Sequence, residues 1–340
     1  MSRMDVELVT LGWDDEFAAS YALTEATVPP ARVNRLDRGW STALLGASGP
    51  TIRLRNIGAE IAVGDWIVPS ADGEKVDHVL ERHSAFVRRA SFEGARAESH
   101  TVAANIDRVY VLHALSSPPN PRRLERELVL AFDSGALPTV VLTKLDAVDD
   151  PSEVIAAVEA VALGVPVVAV SSRAGLGLEA LRPAGGHETI ALLGSSGVGK
   201  STLVNALIGK ELQRTADVRE GDQRGRHTTV ASELIPLPSG GWLIDTPGLR
   251  AVSLWASGQG IERTFRDVFD LMDDCRFRDC KHEEEPGCAV QAAISAGTLD
   301  PVRLVALKRL VAEELTLEEE QRAKEKATDK RRGPRHQTRD

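Results

Sequence analysis

Residues 194–201, Gly-Ser-Ser-Gly-Val-Gly-Lys-Ser, form a glycine-rich run that ends in Lys-Ser. Gly194, Gly197 and Gly199 let successive backbone N–H groups curl around an anion, with Ser195, Ser196 and Val198 completing the loop. An apolar strand pattern (188–194) precedes it and a helical one (200–210) follows, so a phosphate would lie on a helix N-terminus. In that setting Lys200 is expected at the β- and γ-phosphates and Ser201 on Mg2+, with Thr202 beside them. Downstream, 240–249 reads as an apolar strand ending in Asp245, followed by Thr246-Pro247-Gly248. An acid at a strand end suits Mg2+ held through water, and the Gly248 N–H suits sensing of the γ-phosphate. Between the two motifs, the polar stretch 224–230 offers His227, Thr228 and Thr229. Two loops that order on a γ-phosphate and relax on its loss are the parts of a nucleotide switch.

A phosphate loop does not select a base. Guanine presents N1–H and N2–H2 to a carboxylate, and an apolar run ending in Thr143-Lys144-Leu145-Asp146 supplies one. Asp146 is expected to accept both protons while the stem of Lys144 covers the ring. Thr143 stands where asparagine is commoner, and its shorter side chain leaves the loop-tying role of that position open. The next strand end carries Ser171 and Ser172, whose N–H groups could meet guanine O6. Both strand ends belong to an alternating strand–helix region, where ligands bind at carboxyl ends. GTP is therefore favoured over ATP, although the guanine reader precedes the phosphate loop, the order of a circular permutation. Leu249 follows the Asp-Thr-Pro-Gly run where a water-orienting glutamine is common, so slow intrinsic turnover is expected, with His227 as the local substitute.

All three cysteines, Cys275, Cys280 and Cys288, fall within fourteen residues, with His282 among them. Three thiolates and one imidazole make a closed tetrahedral Zn2+ site with no open position, a structural metal.

The elements around these motifs divide the chain of 340 residues. Residues 1–35 read as a partly ordered arm. Short alternating runs from 36 to 100 suggest an OB-type β-barrel, with Arg53, Arg55, Arg88 and Arg89 as a basic or merely solvated face. Residues 101–257 read as an α/β phosphate-loop domain with a mostly parallel sheet, including a helix over 120–136 capped by Asn120-Pro121. Residues 258–325 form a helical zinc-binding region with a long helix over 298–330, and 326–340 a basic tail. Hydrophobic residues make up 42% and charged residues 27%, ordinary for a globular protein, and the net charge of −9 opposes non-specific coating of nucleic acid. With no membrane-length apolar run and no basic-then-apolar leader, a cytoplasmic protein is expected.

On "GSSGVGKST", "GRHTT", "DTPGL", "CRFRDCKHEEEPGCAV" and the permuted order, the sequence over about 36–310 resembles the circularly permuted GTPases of the RsgA (YjeQ) type. The resemblance implies an N-terminal OB barrel, a permuted GTPase domain and a C-terminal zinc domain whose ligands match Cys275, Cys280, His282 and Cys288. It also implies a hydrolytic role for His227, and GTP hydrolysis stimulated by the small (30S) ribosomal subunit during its late maturation. The partners so implied are that subunit, its rRNA and GTP or GDP, with the protein a monomer. Two other readings remain open from the residues: a GTP-timed RNA- or protein-binding module that does not act on the ribosome, and a phosphate-loop kinase or ATPase.

Overall fold

The computed structural model describes residues 3–89, 99–209, 232–245 and 258–331. The expected arm is two short helices, α1 (Arg3–Thr10) and α2 (Asp15–Ala22). The Asp14 carboxylate caps α2 by accepting the Phe17 N–H at 2.9 Å. Trp13 and Phe17 pack their rings on the buried Trp66, with centroids 4.7 and 5.8 Å away. These aromatics fix the segment to the fold, which is why it is ordered despite its acidic composition.

Strands β1 (Ala31–Asp37), β2 (Trp40–Leu44) and β3 (Thr51–Arg55) form an antiparallel meander. β4 (Trp66–Pro69) pairs with β1 and with β5 (Val76–Val79), both antiparallel. A parallel bridge from Arg55 to Lys75 joins the end of β3 to the approach to β5. The strands alternate: Ala31, Val33, Ala43, Leu54, Ile67 and Val76 turn inward to a small core of their own. Gly64 lies at φ +93°, and a Cβ there would come within 2.1 Å of the Ala104 carbonyl oxygen. Only glycine allows that approach to the hairpin of β6 (Ala85–Arg89) and β7 (Ser99–Ala104).

The phosphate-loop region follows: β8 (Arg108–Ala114), α3 (Pro121–Asp133), β9 (Leu137–Thr143), α4 (Ser152–Val161), β10 (Val167–Ala169), β11 (Thr189–Gly194), α5 (Lys200–Ile208), β12 (Glu233–Pro236) and β13 (Trp242–Asp245). Asn120 caps α3 through the Arg123 N–H, and Pro121 fills its first turn. β10, β9, β8, β11 and β13 run parallel in that spatial order, so β9, which ends in Thr143, and the phosphate-loop strand β11 both flank β8. β12 is antiparallel to β13 and also pairs with β1 through Arg35 and Glu233. Among the described residues eleven strands thus form one continuous sheet. Arg32 of β1, 1% exposed, reinforces that joint. Its guanidinium donates to the Asn105 carbonyl at 3.0 Å, the Thr189 hydroxyl at 2.8 Å, and the carbonyls of Gly64 and Leu11.

The carboxyl-terminal part is helical: α6 (Gln259–Thr264), α7 (Arg266–Met272), α8 (Ala289–Ser295) and α9 (Pro301–Arg331). It rests on α3. The Gly260 N–H donates to Asp133 at 2.7 Å. Arg303 of α9 is buried against Asp267 at 2.8 Å and Glu125 of α3 at 3.5 Å, and Arg309 meets the same Glu125 at 3.2 Å. Desolvation raises the Glu125 carboxyl, opposed by Arg303 and Arg309. No helix among the described residues is long and apolar enough to cross a membrane.

Candidate nucleotide pocket and metal centre

The phosphate loop forms at the carboxyl end of β11. Gly194 has φ +151°, and a Cβ on it would lie 2.8 Å from the Leu112 carbonyl of β8. Ser195, Ser196 and Gly197 carry the turn outward, and buried Val198 packs back into the core under α5. Gly199, at φ +103°, caps α5, whose first residues are Lys200, Ser201 and Thr202. The Lys200 ammonium donates to the Gly194 carbonyl at 2.6 Å and to that of Ser195, which holds its charge over the loop.

At the end of β9, Lys144 takes the left-handed conformation at φ +60° and starts a single turn, Leu145–Ala147, that carries Asp146. The Leu145 N–H donates to the Val170 carbonyl at 3.0 Å, joining this turn to the next strand end. There Ser171 is fully buried and doubly engaged. It accepts the Ala174 N–H at 3.0 Å and donates its hydroxyl to Asp146 at 2.5 Å. The Ser171 hydroxyl holds the Asp146 carboxyl below its usual range, with Arg173 adding a smaller effect. Asp146 is thus an exposed, oriented carboxylate.

Thr143 reaches from the end of β9 into the phosphate loop. Its hydroxyl, 2% exposed, reaches the Val198 carbonyl inside the phosphate loop, and the His113 carbonyl of β8 at 3.3 Å. A threonine suffices because β9 and β11 lie on either side of β8, close enough for a short side chain to span. Thr143, Lys144, Asp146, Ala147, Ser172, Arg173, Gly199 and Thr202 line one pocket of about 210 Å3. The Lys144–Asp146 turn and the phosphate loop therefore face one space, and the sequence order does not matter to it. Arg173 and Ala147 were missed; each directly follows a singled-out motif, and that adjacency was the available signal.

Asp245 ends β13, next to β11 in the sheet, and Ser201 begins the helix that leaves β11. Hard oxygen donors at two neighbouring strand ends fit Mg2+. His227, Thr228, Thr229 and Gly248 lie outside the described residues.

The second centre gathers Cys275, Cys280, His282 and Cys288, whose ligand atoms all lie within 4.8 Å of one another. His282 Nδ1 is 3.6 Å from Cys275 Sγ and 3.5 Å from Cys288 Sγ, and those sulfurs are 4.0 Å apart. Tetrahedral ligands on zinc–sulfur bonds of about 2.3 Å would be about 3.8 Å apart, so the donor set fits a four-coordinate soft-metal site. The local chain is built to converge. His282 adopts φ +57°, and its carbonyl accepts the Gln291 side-chain amide at 2.8 Å. Glu285 closes the loop before Cys288, accepting the Glu283 and Lys281 N–H groups at 2.8 and 2.9 Å, which pull its carboxyl down to about 2. Burial raises the Cys275 thiol, but the Ala289 and Val290 N–H groups of α8, together with the Cys288 and Cys280 thiols, bring it below its usual value. Desolvation, then crowding by the Cys288 and Cys275 thiols, drives Cys280 up to about 11. A bound cation would relieve that crowding by taking the thiolates.

The profile of the RsgA GTPase family matches residues 79–255. The small ribosomal subunit biogenesis GTPase RsgA of Streptomyces coelicolor is 42% identical over 317 residues, covering 90% of this chain and 86% of that protein. Its namesake from Methanosarcina acetivorans is 37% identical over 311 residues, covering 89% and 84%. Among solved structures, YjeQ from Thermotoga maritima has a TM-score of 0.63 at 24% identity, covering 84% of this chain and 98% of its own. YloQ, a circularly permuted GTPase, has a TM-score of 0.64 at 24% identity, with 85% and 95% covered. Those two structures share the fold, and the sequence relatives share nearly the whole chain. The chain belongs to the RsgA GTPase family.

Proposed function

We propose that this protein binds the small ribosomal subunit and hydrolyses GTP during late subunit maturation, with the subunit stimulating turnover. The observation that carries the nucleotide half is the Ser171-held Asp146 in one pocket with Gly199 and Thr202. The ribosomal half is supported by relatives named as small-subunit biogenesis GTPases along about nine-tenths of this chain.

In this reading Asp146 accepts guanine N1–H and N2–H2, the Lys144 stem lies on the ring, and N–H groups of Ser171 and Ser172 face O6. The phosphate-loop N–H groups, the start of α5 and Lys200 stabilise charge on the β- and γ-phosphates. Ser201 and Asp245 would hold Mg2+, which neutralises phosphate charge when bound. Thr228 and Thr229 would close on the metal, and the Gly248 N–H would sense the γ-phosphate. His227 orients the attacking water, the work that Leu249 has no group to do. Cys275, Cys280, His282 and Cys288 would hold one structural Zn2+. Residues 31–79 form an OB-type barrel; the closed contact order β1-β2-β3-β5-β4-β1, with parallel contact at Arg55–Lys75, supports this. The barrel, the zinc domain and the basic tail contact rRNA, and the protein acts as a cytoplasmic monomer. The test is His227→Ala assayed with purified small subunits: stimulated turnover should fall at least about a hundredfold, and a rate equal to the unaltered protein excludes the hydrolytic role.

A further inference from the structure

We propose that Cys275 and Cys288 are a hydroperoxide-sensitive thiol pair, which closes to a disulfide and frees the metal their thiolates would hold. This rests on the zinc reading of the four side chains and assigns two of them a reaction of their own. The two sulfurs stand 4.0 Å apart, and a disulfide bond needs about 2 Å. Side-chain rotation can close that gap because the backbones already lie side by side. The Arg276 N–H donates to the Gly287 carbonyl at 3.1 Å, and a Cβ added to Gly287 would lie 3.1 Å from the Arg276 Cβ. Both sulfurs also rest on the start of α8. The Gln291 N–H donates to Cys288 Sγ at 3.4 Å, and the Ala289 and Val290 N–H groups donate to Cys275. Cys280 belongs instead to the loop that the pair encloses, its N–H bonded to the Phe277 carbonyl at 3.3 Å.

Exposure sets the order of events. Cys288 is 5% exposed and Cys275 is half-buried, so Cys275 is the member of the pair that an oxidant in solution reaches. The Cys275 sulfur attacks the outer oxygen of the hydroperoxide. An S–O bond forms as the O–O bond breaks, and the departing alkoxide takes a proton from water. The Cys288 sulfur then attacks the Cys275 sulfenic acid, forming the S–S bond, and hydroxide leaves and takes a second proton to become water. The two thiolates lose two electrons and the hydroperoxide gains them. The chain has three cysteines, so Cys280 is the one competitor for the sulfenic acid within the molecule. Cys280 and His282 are then the donors left, too few for a closed tetrahedral site. The disulfide keeps the base of the loop shut and ties the chain after α7 to the start of α8. What the oxidised protein loses is the metal's grip on residues 276–287.

The test uses the full-length protein loaded with Zn2+ and treated with hydrogen peroxide, with a chromogenic chelator reading the metal set free. The expected result is one Zn2+ released per disulfide formed, a mass lower by two hydrogens, and a peptide map that joins Cys275 to Cys288. A dithiol with fresh Zn2+ should return mass, metal content and melting curve to their starting values. A disulfide through Cys280 overturns the proposal, as does sulfinic acid at Cys275 with no disulfide, or Zn2+ released while all three thiols stay intact. So does a protein whose thiols and metal survive peroxide that oxidises a free cysteine-containing peptide. Metal content before peroxide separates the two claims: protein that takes up no Zn2+ sinks the zinc reading, and the mapped disulfide still decides the thiol pair.

Discussion

The two flanks of the GTPase core are joined to it by different physics. On the amino-terminal side the backbone itself is continuous, because β12 pairs with β13 on one edge and β1 on the other. Arg32 adds hydrogen bonds to carbonyls and one hydroxyl, and burial lowers its pKa to about 10 against the pull of Asp107, Asp65 and Asp14. On the carboxyl-terminal side no strand crosses over among the described residues. The helical part is held by side chains: Arg303 and Arg309 on Glu125, Arg303 on Asp267, and the Gly260 N–H on Asp133. A sheet resists relative motion by its whole ladder, whereas a packed helical interface can settle in a second arrangement. The carboxyl-terminal joint therefore depends on a few side chains, and the amino-terminal joint on backbone pairing.

The sharpest way to break that contrast is to remove a metal ligand. Cys288→Ala should abolish zinc retention and unfold the carboxyl-terminal helices, a loss on the order of 10 kcal/mol of binding energy, while nucleotide affinity stays near its original value. Unchanged zinc content and unchanged melting would show that the cluster holds no structural ion. Next come the two arginines. Arg303→Ala leaves buried Glu125 and half-buried Asp267 without their main partner and should cost about 3 kcal/mol, with the helical part melting as a separate, earlier transition. Arg32→Ala strips donors from buried carbonyls and should cost about 2 kcal/mol, lowering one transition of the whole amino-terminal sheet. If calorimetry shows the reverse pattern, the two joints have been misjudged. Smallest is Thr143→Val, which removes the tie between reader and phosphate loop. GTP and GDP should each bind about fivefold more weakly, a loss of about 1 kcal/mol, and Thr143→Asn should restore the grip.

These contrasts also mark what could be read from residue order. The phosphate loop, Asp146, the cysteine cluster and the Asn120–Pro121 helix start were legible because each is a local pattern with its own chemistry. The permutation was legible for the same reason, since it needs only the order of local motifs. Arg32 was not, because its partners are backbone carbonyls scattered from Leu11 to Asn105, and carbonyls leave no mark in a sequence. The β12–β1 pairing was hidden likewise, as Arg35 and Glu233 lie in separately predicted domains. α1 and α2, eight residues each, are too short for periodicity to speak, and what orders them is the Trp13–Trp66 contact. Thr143 read as a departure from the commoner asparagine, and only the position of Val198 in space shows that its hydroxyl is long enough.

At the centre stands Asp146, the proposed guanine reader, placed before the phosphate loop in the chain and beside it in the pocket. Its direct test is the nucleotide preference of Asp146→Asn, measured by equilibrium binding and turnover with GTP, XTP and ATP. The expected result is a loss of roughly a hundredfold in GTP affinity, about the value of a charge-assisted hydrogen bond, with a matching gain for XTP, whose O2 accepts from the new amide, and no gain for ATP. GTP affinity unchanged in that variant, with no gain for XTP, would contradict the assignment of this strand end to the base.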